Sequence, residues 1–350
     1  MKEADIAVLR GMYEHVARME EALRPSGFWV QFSMHNDSML LRHGIENFKR
    51  TVNQNYFNWV PLSAGDNQYR RVAAYYAAHQ DAEALKVELE DWALLRVGFL
   101  QENPFADPGV RNRYAKFVGM LWHHVRHSEP NGILEQLSEP ELGNPIRTRL
   151  AGRLISQDLA NSVKERNALF HGWNRGAAEK RLRIGELGAG YGRVGHVLLA
   201  TGAAQYVVVD VPPALFVSQW YLSRLFPERR VFRFRRFESF DKIADEIAAC
   251  DIVFLAPDQF GLLPDRYFDA FLTISSLAEM TWAQISRYVA LMASKTKHRV
   301  YVKQWRRWTN PADQMTVTQE NYNLPRGWQK VLDRVDSVQD EFFETVWQAG

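Results

Sequence analysis

The chain is most constrained by a short apolar run that ends in closely spaced glycines and leads directly into a helical pattern. The run covers residues 181–187, and the helical pattern extends from Arg193 to Ala200. The loop between them contains Gly188, Gly190 and Gly192. A strand, a glycine loop and a helix in this order are the context of a nucleotide-binding loop, because glycine lets the backbone approach a ligand and adopt a positive φ.

A second apolar run, Gln205–Val211, follows this helical pattern and has an acidic residue near its end. Asp210 follows Gly188 at about the 20-residue spacing at which a carboxylate meets a ribose in such folds. Its side chain can accept hydrogen bonds from both ribose hydroxyls. We therefore predict that Asp210 binds the sugar of an adenosine.

Two residues beside the glycines distinguish between adenosine ligands. A dinucleotide fingerprint needs a small residue three positions after its second glycine, and Arg193 stands there instead. Glu186 lies two residues before the first glycine, a pattern typical of S-adenosylmethionine (SAM) sites, where no pyrophosphate is bound. The sequence favours SAM over a nicotinamide or flavin dinucleotide and over a purely structural turn. The predicted cofactor contacts of this segment are Glu186, Gly188, Gly190, Gly192, Arg193 and Asp210.

Beyond residue 181, strand-like runs alternate with helical patterns, which predicts a parallel α/β sheet covered on both faces. The further strands that we predict are Asp251–Ala256, Phe268–Ile274, Arg299–Val302 and, joined by a turn, Trp328–Val335 and Phe342–Trp347.

The first third of the chain has mainly helical periodicity, including predicted helices over Ala82–Gln101 and Arg111–His127. We expect a mainly helical N-terminal domain over residues 1–150 and an α/β domain over residues 151–350. The helical domain is expected to close over the ligand crevice, to form a homodimer interface, or both.

Composition excludes several classes of protein. The 350 residues carry 43 Lys and Arg against 41 Asp and Glu, a formal net charge of +2, which is too near neutral to indicate a general affinity for nucleic acid or acidic membranes. The single cysteine, Cys250, excludes an internal disulfide framework and a cysteine-based zinc site. No apolar stretch approaches about 18 residues, and the first residues lack a secretory signal pattern. We expect a cytoplasmic protein without a membrane span.

Several segments outside the glycine loop resemble one family. They are Gly143–Asn167, which includes SQDLANS, Val207–Pro227, which includes DVPPAL, Phe268–Met280, Val300–Trp305 and the FKRTVNQNYFNW segment of residues 48–59. These segments are similar to those of the bacterial sugar O-methyltransferase family. The resemblance implies a class I SAM-dependent methyltransferase, with a Rossmann-like, mostly parallel sheet and an antiparallel last strand. It also implies methyl transfer to a hydroxyl of a glycan, a nucleotide-sugar or a sugar-containing metabolite.

Further cofactor contacts are expected where other strands end. Asp258 or Gln259, after the strand Asp251–Ala256, could reach the adenine amino group, although a polar turn explains them equally well. Ser275 is expected beside the cofactor at the end of Phe268–Ile274.

Three polar residues near the start of the SQDLANS segment form another candidate. Gln157 and Asn161 share a helix face with Asp158 beside it, and they could bind the amino-acid end of SAM or the acceptor. We assign Gln157 and Asn161 to the cofactor and Asp158 to the substrate. The alternative is a solvated or capping face.

Candidates for catalysis and acceptor binding follow the next two strands. Glu279 is the first choice for a general base, because a sugar hydroxyl is a poor nucleophile, and His171 is the second. Some members of the family have a histidine where this chain has Ala278, which disfavours a histidine base at that position. The predicted substrate contacts are Ser276, Lys303, Gln304, Trp305 and Asp158. The alternatives are a capping box between Ser276 and Glu279, and a Trp305 packed in the core.

Alternative functions remain open from the sequence. His123 and His127 share a helix face, but no carboxylate pair accompanies them, so we interpret them as surface or interface residues and predict no metal ligand. Dependence on a metal stays open. The alternatives to sugar methylation are methylation of another natural product or of nucleic acid, and SAM binding without catalysis.

Overall fold

A computed structural model describes residues 1–51, 60–79, 85–91, 104–129, 131–173, 182–311 and 313–350. The chain divides into two compact units. The first comprises Met1, Asn36–Asn167 and Ser337–Asp340, and the second comprises Lys2–His35, Ala168–Asp336 and Glu341–Gly350.

The described helices and strands are numbered in chain order. The helices are α1 (Glu3–Val16), α2 (Gly27–His43), α3 (Asn67–Ala78), α4 (Pro108–Ser128), α5 (Ile133–Gln136), α6 (Gln157–Leu169), α7 (Arg193–Ala200), α8 (Ala214–Leu225), α9 (Ala244–Ala249), α10 (Pro257–Leu262) and α11 (Trp282–Lys295). The strands are β1 (Val87–Asp91), β2 (Arg147–Leu150), β3 (Arg153–Ile155), β4 (Arg183–Leu187), β5 (Gln205–Val209), β6 (Val231–Phe232), β7 (Ile252–Leu255), β8 (Phe268–Ile274), β9 (Thr296–Trp305), β10 (Arg307–Thr309), β11 (Thr316–Thr318), β12 (Trp328–Val335) and β13 (Phe342–Ala349).

The first unit combines helices with a small antiparallel sheet in the order β1-β2-β3. The predicted helix over Ala82–Gln101 is wrong in its described part, because Val87–Asp91 forms β1 and pairs with β2. Two arginines hold this strand: Arg50 makes a two-pronged bond to the Asp91 carboxylate at 2.8 Å per contact, and Arg149 bonds to Glu90 at 2.6 Å. Strand pairing and these ion pairs therefore outweigh the local helix preference. Residues 80–84 and 92–103 lie outside the described residues.

The second unit is built on an eight-stranded sheet in the order β12-β13-β9-β8-β4-β5-β7-β6. Strands β4 to β9 run parallel, whereas β13 is antiparallel to both β9 and β12. The sheet is thus mostly parallel, and its last strand in sequence is the reversed one, as predicted. The central position of β4, between β5 and β8, is a switch point of the strand order, and a ligand crevice is expected outside the carboxyl ends there.

Burial follows from the position of each strand in this sheet. All residues of β5 and β7 are buried, in keeping with central strands covered on both faces. Edge strand β12 is mostly exposed. Strand β6 has only two residues, because it pairs only with Ile252 and Val253 of β7.

The two compact units do not meet at the predicted boundary near residue 150. Val16, Met19 and Leu23, from the N-terminal segment, belong to the same hydrophobic core as β5 and β8. The division into residues 1–150 and 151–350 stays a proposal about independently folding parts. None of the helices in the described residues is long and apolar enough to cross a membrane.

Candidate functional site

The glycine loop follows β4 and is shaped by two glycines with different surroundings. Gly188 has a φ of +74°, and a Cβ there would lie 2.3 Å from the Cβ of Ser276. Gly190 has a φ of +60°, and a Cβ there would meet no atom of the described residues within 4 Å. A side chain is thus excluded at Gly188 by the protein itself, whereas the space at Gly190 is open to a ligand. Gly192 begins α7, so the predicted strand–loop–helix arrangement is confirmed.

Asp210 lies directly after β5 and closes the loop from the neighbouring strand. The Gly190 amide donates to one carboxylate oxygen at 2.9 Å, and the Val211 amide donates to the other at 2.7 Å. Burial raises the pKa of this carboxyl from 3.8 to about 7. A carboxylate has about four acceptor positions, so each oxygen keeps capacity for a further donor. The geometry suits a ligand that offers two adjacent hydroxyls.

An open cavity of about 390 Å³ lies at this edge of the sheet. Its walls include Gly188, Asp210, Val211 and Ser276, which follow β4, β5 and β8. The cavity therefore stands where the strand order predicts a ligand crevice.

The segment between α1 and α2 also lines the cavity, which the sequence analysis missed. It contributes Leu23, Arg24, Pro25 and Ser26, and Trp29 in the first turn of α2 also lines the cavity. Two hydrogen bonds fix it: Ser26 Oγ donates to the Glu279 carbonyl at 2.5 Å, and the Gln284 amide donates to the Arg24 carbonyl at 2.6 Å. The Pro25-Ser26-Gly27 break was visible in the sequence, but nothing local indicated that it packs against α11.

Glu186 is buried beneath the loop, and the Tyr206 hydroxyl donates a hydrogen bond to its carboxylate. Burial, followed by the charge of Glu186, raises the pKa of Tyr206 well above its ordinary value. Arg193 is half-buried at the start of α7. Their contacts with a cofactor stay predictions.

The two candidates after β7 separate clearly. Gln259 is fully buried, and its side chain accepts from the Ala256 amide at 2.9 Å and donates to the Arg235 carbonyl at 2.8 Å. Its side chain thus holds the start of α10, and we no longer propose it as an adenine contact. The Asp258 carboxylate is 30% exposed and lies 2.9 Å from the His15 imidazole. Asp258 is therefore the better candidate for a ligand contact.

The segment after β8 brings two predicted residues next to the glycine loop. Ser276 Oγ lies 2.8 Å from Thr273 Oγ1 and donates to the Leu187 carbonyl at 3.1 Å, so it ties β8 to the end of β4. Ser275 has a φ of +51°, and its amide donates to the Lys303 carbonyl. The predicted capping box between Ser276 and Glu279 is absent; the structure forms one between Thr281 and Gln284 at the start of α11.

Glu279 is half-buried in the short helical turn Leu277–Glu279. Burial, followed by the charge of Asp210, raises the pKa of its carboxyl from 4.5 to about 8. A carboxyl with this pKa can exchange a proton near neutral pH.

The carboxyl end of β9 differs from its predicted role in one respect. Lys303 is fully buried, and its ammonium lies 2.9 Å from the Asp336 carboxylate, which is also fully buried. Lys303 is therefore held in a structural ion pair, and its ammonium is not available to a substrate. Gln304 is fully buried, and the Trp305 ring packs against the Phe342 ring in a tilted arrangement with centroids 4.4 Å apart.

His171 lies away from the carboxyl ends of the strands. It is exposed after α6, and its backbone carbonyl accepts a 2.6 Å bond from Arg299, in the first half of β9. The crevice lies at the other end of this strand, so we no longer propose His171 as a base.

The three polar candidates on α6 belong to the first unit and are buried there. Both polar atoms of the Gln157 amide and Oδ1 of Asn161 lack a hydrogen-bond partner among the described residues. Burial, followed by the charges of Asp158 and Glu139, raises the pKa of Tyr114. A ligand-binding role for these residues remains a prediction.

The histidines of α4 pack within the first unit. His123 is buried, and its ring lies 4.0 Å from that of His127 between centroids, so the interpretation of His123 as a surface residue is wrong. The described residues contain no group of three or more His, Cys, Asp or Glu side chains that could hold a metal ion.

Comparison with known proteins gives matches among solved structures only. No protein-family model matches the chain, and no curated protein matches it. Magnesium protoporphyrin IX methyltransferase from Synechocystis PCC 6803, crystallised with S-adenosylhomocysteine (SAH), is 12% identical over 55% of this chain and 86% of its own, with a TM-score of 0.36. A SAM-dependent methyltransferase from Aquifex aeolicus is 10% identical over 49% of this chain and 84% of its own, with a TM-score of 0.30. The [4+2]-cyclase SpnF is 12% identical over 54% of this chain and 82% of its own, with a TM-score of 0.35.

These similarities concern the fold alone. The fold class rests on the strand order itself: a mostly parallel sheet with helices between its strands and a reversed last strand is the arrangement of class I methyltransferases. The predicted fold class is confirmed.

Proposed function

We propose that this protein is a SAM-dependent methyltransferase that transfers a methyl group to a hydroxyl of a sugar. One observation carries the cofactor: Asp210, bonded to the Gly190 amide, lines a cavity at the carboxyl ends of β4 and β5. The sugar as acceptor is supported by the resemblance of the segments around Asp158, Pro212 and Glu279 to sugar O-methyltransferases.

The residues at this cavity fit SAM. Each Asp210 oxygen keeps capacity for one ribose hydroxyl, and the space at Gly190 would be filled by any side chain. Asp258, after β7, is the residue that we assign to the adenine amino group. When bound, SAM supplies a methyl group activated by a positively charged sulfur.

Glu279 is the residue that we assign to the acceptor hydroxyl. With a pKa of about 8, its carboxyl becomes ionised as the pH rises through about 8, and the ionised form can accept a proton from a hydroxyl. Such a base contributes roughly 10²–10⁴-fold in rate. Holding the acceptor in line is worth more, about 7–11 kcal/mol, so a variant without the base should be slow and not inactive.

Isothermal titration calorimetry tests the cofactor. We expect SAM and SAH to bind to the wild-type chain, and Asp210→Asn to weaken binding by roughly 1.5–3 kcal/mol, because a charged acceptor of two hydroxyl bonds is lost. Asp265→Asn is the matched control, since this carboxylate is 74% exposed and outside the cavity. Absence of heat with SAM and SAH, together with binding of NADH, would refute the proposal.

Transfer of a labelled methyl group from SAM to a panel of sugars tests the reaction. Glu279→Gln should lower kcat by roughly 10²–10⁴-fold while the affinity for SAH stays within about twofold. SAM binding without transfer to free sugars, nucleotide-sugars or glycans would instead indicate a binding protein.

A further inference from the structure

A second polar cluster, which the cofactor site does not use, lies at the carboxyl end of β9. Gln304 is 0% exposed, and neither the oxygen nor the nitrogen of its side-chain amide has a hydrogen-bond partner among the described residues. Tyr322 is 1% exposed, and its hydroxyl is likewise without a hydrogen-bond partner there. The same holds for the indole nitrogen of Trp308, on β10. We name these three residues the orphan cluster.

Two members of the orphan cluster, Gln304 and Tyr322, come together on one face of the sheet. Gln304 pairs directly with Phe343 of the antiparallel strand β13, and directly paired residues point to the same face. The Phe343 ring stacks on the Tyr322 ring with centroids 5.9 Å apart. The turn Gln319–Tyr322 packs against β9, and Trp308 packs against the same core as Phe343.

The orphan cluster lies next to the proposed reaction site. The Ser275 amide donates to the carbonyl of Lys303, the residue before Gln304, at 2.8 Å. The turn that carries Glu279 starts directly after Ser275 and contacts β9. The charge of Glu279 also raises the pKa of the Tyr322 hydroxyl, although burial is the larger cause. The proposed base is thus within electrostatic reach of the cluster.

The chemistry of the orphan cluster selects its ligand. Unpaired buried polar groups are costly, and folded proteins keep few of them without a functional reason. The amide, the phenol and the indole are uncharged and together both donate and accept hydrogen bonds. The neighbouring ammonium, Lys303, is neutralised by Asp336. Such a set suits neutral hydroxyls better than a phosphate or a carboxylate, and the stacked rings of Trp305 and Trp308, 5.1 Å apart, add apolar surface beside it.

We propose that Gln304, Tyr322 and Trp308 bind the ring hydroxyls of a neutral, uncharged sugar and present one of them to Glu279. The presentation of a hydroxyl rests on the proposed methyl transfer, whereas the binding of a neutral sugar does not. Tyr322 and Trp308 thereby become specificity-determining residues that the sequence did not indicate.

Saturation-transfer difference NMR with the full chain tests the binding step. The neutral probes are the methyl glycosides of glucose, galactose, mannose and rhamnose, and the charged probes are glucose 1-phosphate and glucuronate. The variants are Tyr322→Phe, which removes only the hydroxyl, and Gln304→Met, which removes the amide at similar volume. We expect at least one neutral glycoside to bind the wild type, and each variant to weaken it roughly tenfold, as for the loss of one well-placed hydrogen bond.

Thermal unfolding of the same variants separates a ligand role from a structural role. Because the Tyr322 hydroxyl has no hydrogen bond to any described residue that could be lost, Tyr322→Phe should leave the Tm unchanged or raise it. Tyr267→Phe is the matched control. The hydroxyl of Tyr267, the residue directly before β8, donates to the Gln205 side chain at 3.0 Å, so this variant should lower the Tm and leave glycoside binding unchanged. A lower Tm for Tyr322→Phe with unaltered glycoside binding would mean that water satisfies the hydroxyl, and would overturn the inference.

Two further results would overturn it: no binding of any neutral glycoside to the wild type, or stronger binding of the charged probes. Titration with SAM and SAH on the same samples keeps the two proposals apart. A chain that binds glycosides through the orphan cluster but binds neither SAM nor SAH would refute the proposed function and leave this inference standing.

Discussion

The two sides of the proposed site are built in different ways. On the cofactor side, Asp210 and Ser276 are both hydrogen-bonded to the main chain of β4 or of the glycine loop that follows it. On the acceptor side, Gln304 and Tyr322 are buried with polar atoms unbonded by the described residues. The cofactor side is thus fixed before any ligand arrives, whereas the acceptor side keeps its hydrogen-bonding capacity for the ligand. Variants on each side test this difference.

The largest effect on stability is expected at the buried ion pair between Lys303 and Asp336, on the acceptor side. Lys303→Met removes the 2.9 Å ion pair to the fully buried Asp336 carboxylate, which should lower the free energy of unfolding by about 3–5 kcal/mol. The measurement is urea unfolding followed by circular dichroism. In the double variant Lys303→Met, Asp336→Leu most of the loss should be recovered. A single variant of normal stability that no longer transfers methyl groups would show that Lys303 contacts the substrate after all.

A pair of glycine variants separates packing from ligand space on the cofactor side. Gly188→Ala combines a positive φ with a Cβ 2.3 Å from Ser276 and should cost about 2–5 kcal/mol of stability. Gly190→Ala meets no neighbour and should cost only about 1–2 kcal/mol, while SAH affinity falls at least about tenfold, or 1.4 kcal/mol.

The control for Gly190→Ala is Gly172→Ala, because Gly172 has a φ of +61°, also in open space, and lies far from the loop in sequence. The two variants should unfold at similar denaturant concentrations and differ only in SAH binding. Equal SAH affinities would contradict the position that we assign to the ligand.

The pH dependence of SAH binding tests Asp210. Because the ionised carboxylate accepts the ribose hydroxyls, the affinity for SAH should rise with pH up to about 7, by up to about tenfold per pH unit below it.

The stability of the free protein should change with pH in the opposite direction. A raised pKa means that the contribution of Asp210 is fully present below its ordinary value of 3.8 and is lost as the pH rises through about 7.

Calorimetry from pH 5 to pH 9 on wild type, Asp210→Asn and the exposed control Asp265→Asn measures this dependence. The Asn variant at position 210 should bind weakly at every pH. A wild-type affinity that is flat between pH 5 and pH 8 would argue against ribose binding by Asp210.

The smallest effect is expected at Ser276, whose hydroxyl ties β8 to the end of β4. Ser276→Ala should cost about 1 kcal/mol of stability and little SAH affinity, because the serine supports the loop without a free bond to offer. Ser294→Ala, at an exposed bond within α11, should be nearly neutral. A loss of acceptor turnover without a change in Tm would instead support the predicted substrate contact.

Local sequence patterns determined one side of the site. The run from Glu186 to Arg193 specifies a strand, three glycines and a helix within a single contiguous segment, and Asp210 follows at the end of the next strand. Such features depend on neighbours along the chain, so periodicity and spacing suffice to find them. The same reasoning placed most strands of the parallel sheet, because buried central strands have continuous apolar runs.

Tertiary structure alone decided the rest. The strand Val87–Asp91 has charges that favour a helix in isolation, and it is a strand because Arg147–Leu150 pairs with it. The sequence predicted Lys303 as a substrate contact. In the folded chain its ammonium is paired with the carboxylate of Asp336, which is distant in sequence. Tyr322 and Trp308 are candidates for binding the acceptor because each has a buried polar atom without a hydrogen-bond partner among the described residues. Spacing along the sequence encodes local elements such as a strand, a glycine loop and a helix. Which buried charges are paired, and which buried polar groups are left without a partner, depends on the distant segments that meet in the folded chain.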